Sequence, residues 1–286
     1  MTVHLLANVF RPDALQAALD AAEWFAGRNI EVFADPETAR ATQLKPVSLG
    51  DFADCSLIVA FGGDGTLIRA AHLTEDKGTP IMGVYYGRFG FVTQCTGESL
   101  LRCLESFIDG QVQVESRMML QAELLRGRHV VTTIHAVNEA ILQRSVTARM
   151  MTFHVSIDGH VLTSYPADGI IVSTPTGSTA YNLSVGGPIV DPRVKALVLT
   201  ALAPHTLSAR PLVLAEDSEI QLTVRSEGDA VLSADGQTRL HILSGDVIRV
   251  KKSPRVTNLV AVEPEDFLIK LGRRLFWSQS LFGDAL

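Results

Sequence analysis

Ser56-Leu57-Ile58-Val59-Ala60-Phe61-Gly62-Gly63-Asp64-Gly65-Thr66-Leu67 is the stretch on which the fold turns. Ser56 to Phe61 is a short, continuous apolar run, the pattern of a strand buried on both faces. Glycines end it, and Leu67 to Leu73 reads as a helix. A strand that passes through a tight turn into a helix is half of a βαβ unit. Working outward, Val3 to Phe10 is another apolar run. After Arg11-Pro12-Asp13, residues Leu15, Ala18, Leu19, Ala22 and Phe25 recur at helical spacing until Gly27. Ile30 to Phe33 and Pro80 to Tyr85 read as further strands, and Leu100, Leu101, Leu104 and Phe107 as a helix ending near Gly110. This alternation predicts an N-terminal α/β lobe, a mostly parallel sheet covered by helices on both faces.

After Gly110 the texture changes. Short alternating or β-branched runs recur at Val130 to Ile134, Phe153 to Ile157, Val161 to Ser164, Ile170 to Ser173 and Ile220 to Arg225. Asp158-Gly159, Asp168-Gly169, Asp235-Gly236 and Gly245-Asp246 offer turn chemistry between them. These features predict a β-rich, sandwich-like C-terminal lobe. The expected division is 1–110 for the α/β lobe and 111–263 for the β-rich lobe. A closing helix over 264–286, opened by Pro264-Glu265-Asp266, is expected to pack back on the first lobe. A ligand cleft is expected between the two.

The 286 residues are 47% hydrophobic and 20% charged, which excludes intrinsic disorder and suits roughly two domains. Twenty-five Lys and Arg against 31 Asp and Glu leave a net charge of −6. The basic residues do not cluster, so a nucleic-acid partner is not expected. Met1 to Leu6 lacks a basic leader, and no apolar run approaches the roughly 18 residues of a membrane span. Cys55, Cys95 and Cys103 form no C-x-x-C pair, and the eight histidines form no zinc motif. A soluble cytoplasmic protein without a metal site of its own is expected, with any metal arriving on a phosphate ligand.

Three features carry chemistry. Gly62, Gly63 and Gly65 allow the backbone to approach a phosphate, and the helix that follows offers N–H groups carrying a partial positive charge. No Gly-Lys-Ser/Thr follows, so this is not a P-loop. Phosphoryl charge would fall to backbone amides, a divalent ion or an arginine such as Arg69 or Arg88. Asp64 is placed at the crevice outside the carboxyl ends of the strands, where a carboxylate can deprotonate a hydroxyl or help hold a phosphate-bridging metal. Alone, the string suits equally well a tight turn with Asp64 capping the helix at Thr66. The second feature is Asp168-Gly169-Ile170-Ile171-Val172-Ser173-Thr174-Pro175-Thr176-Gly177-Ser178-Thr179-Ala180-Tyr181. Its hydroxyls and its aromatic ring suit a base and ribose, or else only a turn-rich connector. The third is Asn138-Glu139, an amide beside a carboxylate that can read an adenine edge and a sugar diol, or simply cap and face solvent.

Taken together, Gly62-Gly63-Asp64-Gly65-Thr66, Asn138-Glu139 and Ser173 to Tyr181 resemble, in order and spacing, the three motifs of the NAD kinase family. The first motif is shared with lipid kinases and phosphofructokinases, whereas Thr174 to Tyr181 is specific. Likeness continues through Gly87-Arg88-Phe89-Gly90-Phe91, through Pro204 to Leu212 and through the last helix. The resemblance implies transfer of the terminal phosphoryl group of ATP, or of polyphosphate, to the 2′-hydroxyl of the adenosine ribose of NAD, giving NADP. It implies Mg²⁺ or another divalent cation arriving with ATP. Asp64 would be the general base beside the ribose, while Gly62, Gly63, Gly65 and Thr66 would line the phosphates. Asn138, Thr176, Thr179 and Ala180 would bind adenine, Glu139 the ribose hydroxyls, Tyr181 would pack on the nucleotide and Phe91 would help enclose the adenine. Asp168 would reach the nicotinamide half of NAD held by a neighbouring subunit, implying a homodimer or homotetramer with shared sites.

Two positions depart from the pattern of many bacterial relatives: Pro166 stands for an arginine and Tyr85 for an asparagine. Pro166 removes a cation near the dinucleotide. Two other functions are weighed against NAD phosphorylation. A lipid or sugar kinase would share the glycine turn but leave Ser173 to Tyr181 without a role. A catalytically silent dinucleotide-binding regulator would not require Asp64, Asn138 and Glu139 together.

Overall fold

The computed structural model describes residues 1–74, 76–86, 90–92, 95–145, 150–225, 230–262 and 267–275. The chain forms two compact units, Met1–Arg117 joined by the chain from Thr257 onward, and Met118–Val256.

The first unit contains β1 (Thr2–Ala7), α1 (Pro12–Ala26), β2 (Glu31–Ala34), α2 (Pro36–Thr42), β3 (Leu57–Gly62), α3 (Asp64–Leu73), β4 (Ile81–Tyr85), β5 (Cys95–Thr96) and α4 (Leu100–Ile108). Its strands run parallel, with β1 lying between β2 and β3, and β3 between β1 and β4. β3 is buried along its whole length, as a central parallel strand must be. Val3, Leu5 and Ala7 alternate with Leu6, and Leu57, Val59 and Phe61 alternate with Ile58 and Ala60. The first set of each shares a core with α1 and α4. α1 has Pro12 in its first turn and buries an alanine-lined face, Ala14, Ala17, Ala18, Ala21 and Ala22, closed by Phe25.

Three local expectations fail here. β1 ends at Ala7 rather than Phe10, because Asn8 begins the turn into α1. Its carbonyl accepts from Arg11 N and its side chain from Phe10 N, leaving the Phe10 ring 91% exposed. α2 was not anticipated, although Asp35-Pro36-Glu37 is a helix-start signal. The buried Asp35 carboxylate accepts from the N–H groups of Glu37 and Thr38. α3 begins at Asp64 with Gly63 as its cap, so Asp64 lies inside the first turn and does not cap Thr66.

β6 (Gln113–Arg126) leads into the second unit, which continues through β7 (His129–Ala136), β8 (Glu139–Arg144), β9 (Met151–Ile157), β10 (His160–Ala167) and β11 (Gly169–Ser173). A 3-10 turn over Thr176–Thr179 and the short α5 (Tyr181–Ser184) precede β12 (Ala196–Leu202), β13 (Leu212–Ala215), β14 (Ile220–Arg225), β15 (Ala230–Ala234) and β16 (Thr238–Ile242). β17 (Val247–Ala261) carries the chain back, and α6 (Phe267–Leu275) follows. Pro264 to Asp266, the expected start of that helix, lie outside the described residues.

Within the second unit the strands form two antiparallel layers. One has the order β13-β12-β11-β8-β15-β16, and the other includes β10, β9, β14 and the first part of β17, with the β6–β7 hairpin. Inward residues of both layers, among them Leu142, Val172, Leu199, Phe153, Val155 and Leu222, form one core, the construction of a β-sandwich. Asp158-Gly159 and Asp235-Gly236 turn with positive φ at both residues, as hairpin chemistry predicts. Asp168-Gly169 is not such a turn. Gly169 opens β11, and a Cβ there would lie 2.7 Å from the Leu142 carbonyl, so glycine serves close packing.

Candidate functional site

In the first unit, parallel pairing aligns Phe61 with Ala7 and Val84, and Gly62 with Tyr85, bringing the loops after β1, β3 and β4 together at the carboxyl edge of the sheet. Asn8 N and Tyr86 N close onto the carbonyls of Phe61 and Gly62 at 2.9 and 3.0 Å. Here the chain leaves β3 and enters α3 through Gly63. A Cβ at Gly62 would overlap the Thr66 hydroxyl, whereas Gly63 and Gly65 have, among the described residues, open space on the side where a Cβ would stand. Backbone amides in the first turn of a helix can meet an anion.

Asp64 is oriented by the segment after β4. Its carboxylate accepts from Phe91 N at 2.9 Å and from Val92 N at 3.3 Å, and Gly90 packs so closely that any Cβ would overlap it. The Phe91 ring in turn lies under the Arg274 guanidinium at 6.0 Å. The structure thus gathers Gly62, Gly63, Asp64, Gly65, Thr66 and Phe91. Arg69 does not offer phosphate a cation here, because its guanidinium bonds the buried Asp35 at 2.7 Å and Glu37 at 3.0 Å. Arg88, the other candidate, lies outside the described residues.

In the second unit, Asn138 and Glu139 form the corner between β7 and β8, against which Thr174 to Ala180 folds. Thr174 N donates to Asn138 O at 2.8 Å and Thr174 Oγ1 to Val137 O at 2.6 Å, while Gly177 abuts the Asn138 backbone with no room for a Cβ. The hydroxyls expected to meet a ligand mostly bond inward. Ser173, Thr174, Ser178 and Thr179 all donate to backbone carbonyls, and Asn182 ties Ser178 and Pro188 to Thr200. Among the described residues the Thr176 hydroxyl makes no such bond. The stretch is therefore a rigid platform in which Thr176 is buried and the Ala180 backbone bonds Gly177 O and Leu183 N, while Tyr181 is 43% exposed.

Glu139 is buried, and its Oε2 has no hydrogen-bond partner among the described residues. Burial first, and the nearby Asp235 charge second, push its carboxyl up to about 8, against a hydrogen bond from the Tyr181 backbone. Such an oxygen is costly unless a ligand donates to it.

Asp168 and Tyr181 line one cavity of about 400 Å³ with Gln143, Arg144, Val185 and Leu202. Arg144 Nε lies 2.7 Å from Asp168 Oδ1. A cation thus stands beside Asp168 although position 166 lacks one. No local sequence feature announced it, since only the β8–β11 register sets Gln143 opposite Gly169. Pro166 is accommodated because β10 is an edge strand, and its carbonyl accepts from His205 N. Tyr85 is the last residue of β4. Among the described residues no group of three or more His, Cys, Asp or Glu could hold a metal ion, and no helix is long and apolar enough to cross a membrane.

Residues 3–112 match the ATP-NAD kinase N-terminal domain family and residues 137–262 the ATP-NAD kinase C-terminal domain family. The chain belongs to the NAD kinase family. It is 36% identical to the NAD kinase of Citrifermentans bemidjiense, over 97% of this chain and 99% of the relative. It is 38% identical to the NAD kinase of Moorella thermoacetica, over 93% of this chain and 86% of the relative. Among solved structures, yeast NADH kinase complexed with NADH superposes with a TM-score of 0.89 at 26% identity, covering 99% of this chain and 89% of that one. An Archaeoglobus fulgidus NAD kinase in complex with ATP shares the fold, with a TM-score of 0.76 at 24% identity over 97% and 98% of the two chains. The NAD kinase family thus accounts for both units, the α/β one and the β-rich one.

Proposed function

We propose that this member of the NAD kinase family transfers the terminal phosphoryl group of ATP, or of inorganic polyphosphate, to the 2′-hydroxyl of the adenosine ribose of NAD, giving NADP. The observation that carries this reading is Asp64, set in the first turn of α3 between Gly63 and Gly65 and oriented by the amides of Phe91 and Val92. Each carboxylate oxygen has two lone pairs, so an N–H bond to each is compatible with accepting a hydroxyl proton. In a loose phosphoryl-transfer transition state that proton leaves late, and the base supplies only part of the acceleration.

Gly62, Gly63, Gly65 and Thr66 are assigned to the phosphates, Glu139 to the ribose diol, and Asn138, Thr176, Thr179 and Ala180 to adenine. Tyr181 packs on the nucleotide, and Phe91 helps enclose the base. Mg²⁺ or a similar ion, carried in on the donor phosphates, spreads their charge. Asp168, with Arg144 beside it, is assigned to the nicotinamide half of a neighbouring subunit's NAD in a homodimer or homotetramer. A cytoplasmic location fits Cys55, Cys95 and Cys103, which form no disulfide.

The test is purified protein with Mg²⁺, NAD and either ATP or polyphosphate, with NADP detected by an NADP-specific dehydrogenase. NADP formation is expected with at least one donor, and its absence with both would refute the assignment. The same assay with NADH, and light scattering for subunit number, address the finer parts.

A further inference from the structure

The Val137-Asn138-Glu139 corner is unusual in how completely its backbone is used. Val137 N, Asn138 N and Glu139 N all donate to the Asp235 carboxylate, at 2.7, 2.8 and 3.0 Å. Asp235 N returns a bond to Glu139 O at 3.0 Å, while Val137 O and Asn138 O accept from Thr174. All six peptide groups of the corner are satisfied, three of them by one side chain lying 96 to 98 residues further along the chain. The side chains of Asn138 and Glu139 are thereby left to project from a fixed backbone. Asp235 holds this position because it opens the β15–β16 turn at φ +48°, with Gly236 at +68°. Aspartate tolerates that left-handed conformation better than most residues do.

We propose that Asp235 is a positioning residue for the nucleoside: its carboxylate fixes the corner that presents Asn138 and Glu139. The proposal deepens the reading of Glu139 as the ribose ligand and rests on it. Three charge-assisted bonds to successive amides set the angle of both recognition side chains. A ribose diol donates to a carboxylate, so it binds the ionised form of Glu139. Burial first, and the Asp235 charge second, oppose that form, so a proton leaves Glu139 when the sugar arrives. The groups facing Glu139 are Asp235 from the β15–β16 turn and the backbone N–H at Tyr181 from α5. Ser173, its register partner on β11, brings no charge.

The experiment measures NAD binding to the full chain by calorimetry between pH 5 and 9 for wild type, Asp235→Asn and Glu139→Gln. In wild type, affinity should rise with pH, with proton uptake by the buffer. Asp235→Asn, which keeps the shape but not the charge, should weaken NAD binding about ten- to hundredfold and move the inflection to lower pH. The KM for ATP should change less than about threefold. If Glu139→Gln binds NAD like wild type at every pH, the ribose reading itself fails. If Glu139→Gln is impaired but Asp235→Asn keeps wild-type affinity and inflection, the role of Asp235 is overturned. Should the Asn variant not fold, carboxyl carbon-13 resonances of wild type decide the matter. A Glu139 carboxyl titrating well above the ordinary carboxylate range supports the proposal, and one titrating within that range overturns it.

Discussion

Gly62–Thr66 and Val137–Glu139 both adjoin buried strands, but their backbones are used in opposite ways. In the α/β unit Gly63 and Gly65 at the start of α3 have, among the described residues, open space where a Cβ would stand, and the acid, Asp64, is held from outside by two amides. In the sandwich unit every peptide group of the corner is bonded within the protein, and the acid, Glu139, is buried with an oxygen unpartnered among the described residues. The contrast suggests a division of labour. Amides in the first turn of a helix suit phosphates, which any N–H can meet, whereas a sealed backbone with projecting side chains suits a base and sugar that must be read one group at a time.

The largest test of this contrast is Asp64→Asn. It should lower kcat by about 100- to 10,000-fold while NAD affinity by calorimetry stays within about threefold. Wild-type turnover would remove Asp64 from the chemistry. Next, the two units should answer glycine replacement with opposite signs. Gly177→Ala would press a methyl onto the Asn138 backbone and should destabilise by about 1–3 kcal/mol in denaturant titration, weakening NAD binding as it does so. Gly65→Ala meets no described residue within 4 Å in the first turn of α3 and should stabilise by about 0.5–1 kcal/mol. If phosphate approaches there, the same variant should raise the KM for ATP. A Gly177→Ala protein as stable as wild type would undo the close-packing half of the comparison.

Glu139 also carries a pH signature. Because the Glu139 carboxyl is raised to about 8 when folded, against 4.5 ordinarily, the native state holds its proton more tightly than the unfolded chain. Its contribution to stability is fully present below pH 4.5 and is lost as pH rises through about 8. Glu139→Gln should flatten that decline, whose slope from one group is at most about 1.4 kcal/mol per pH unit. Unfolding titrations of both proteins across this window check it. The smallest effect is expected at the half-exposed Arg144–Asp168 pair. Arg144→Ala should cost no more than about 1 kcal/mol in thermal unfolding, leaving any larger change in NAD or NADH selectivity to the cavity itself.

The sequence by itself determined the two textures: a continuous apolar run ending in Gly62-Gly63-Asp64-Gly65 is a buried strand entering a helix, and β-branched runs with Asp158-Gly159 and Asp235-Gly236 between them are hairpins. Those are local properties, fixed by residue period and by which residues tolerate a given φ, and neighbours in sequence suffice to express them. Tertiary structure alone decided the rest. It turned most hydroxyls of Thr174 to Thr179 inward, tied Arg69 to Asp35, set Arg144 beside Asp168, and delivered Asp235 to a corner almost a hundred residues away. Each of these depends on strand register or on which buried donor lacks an acceptor. Such quantities exist only once distant segments have paired, so no window of the sequence contains them.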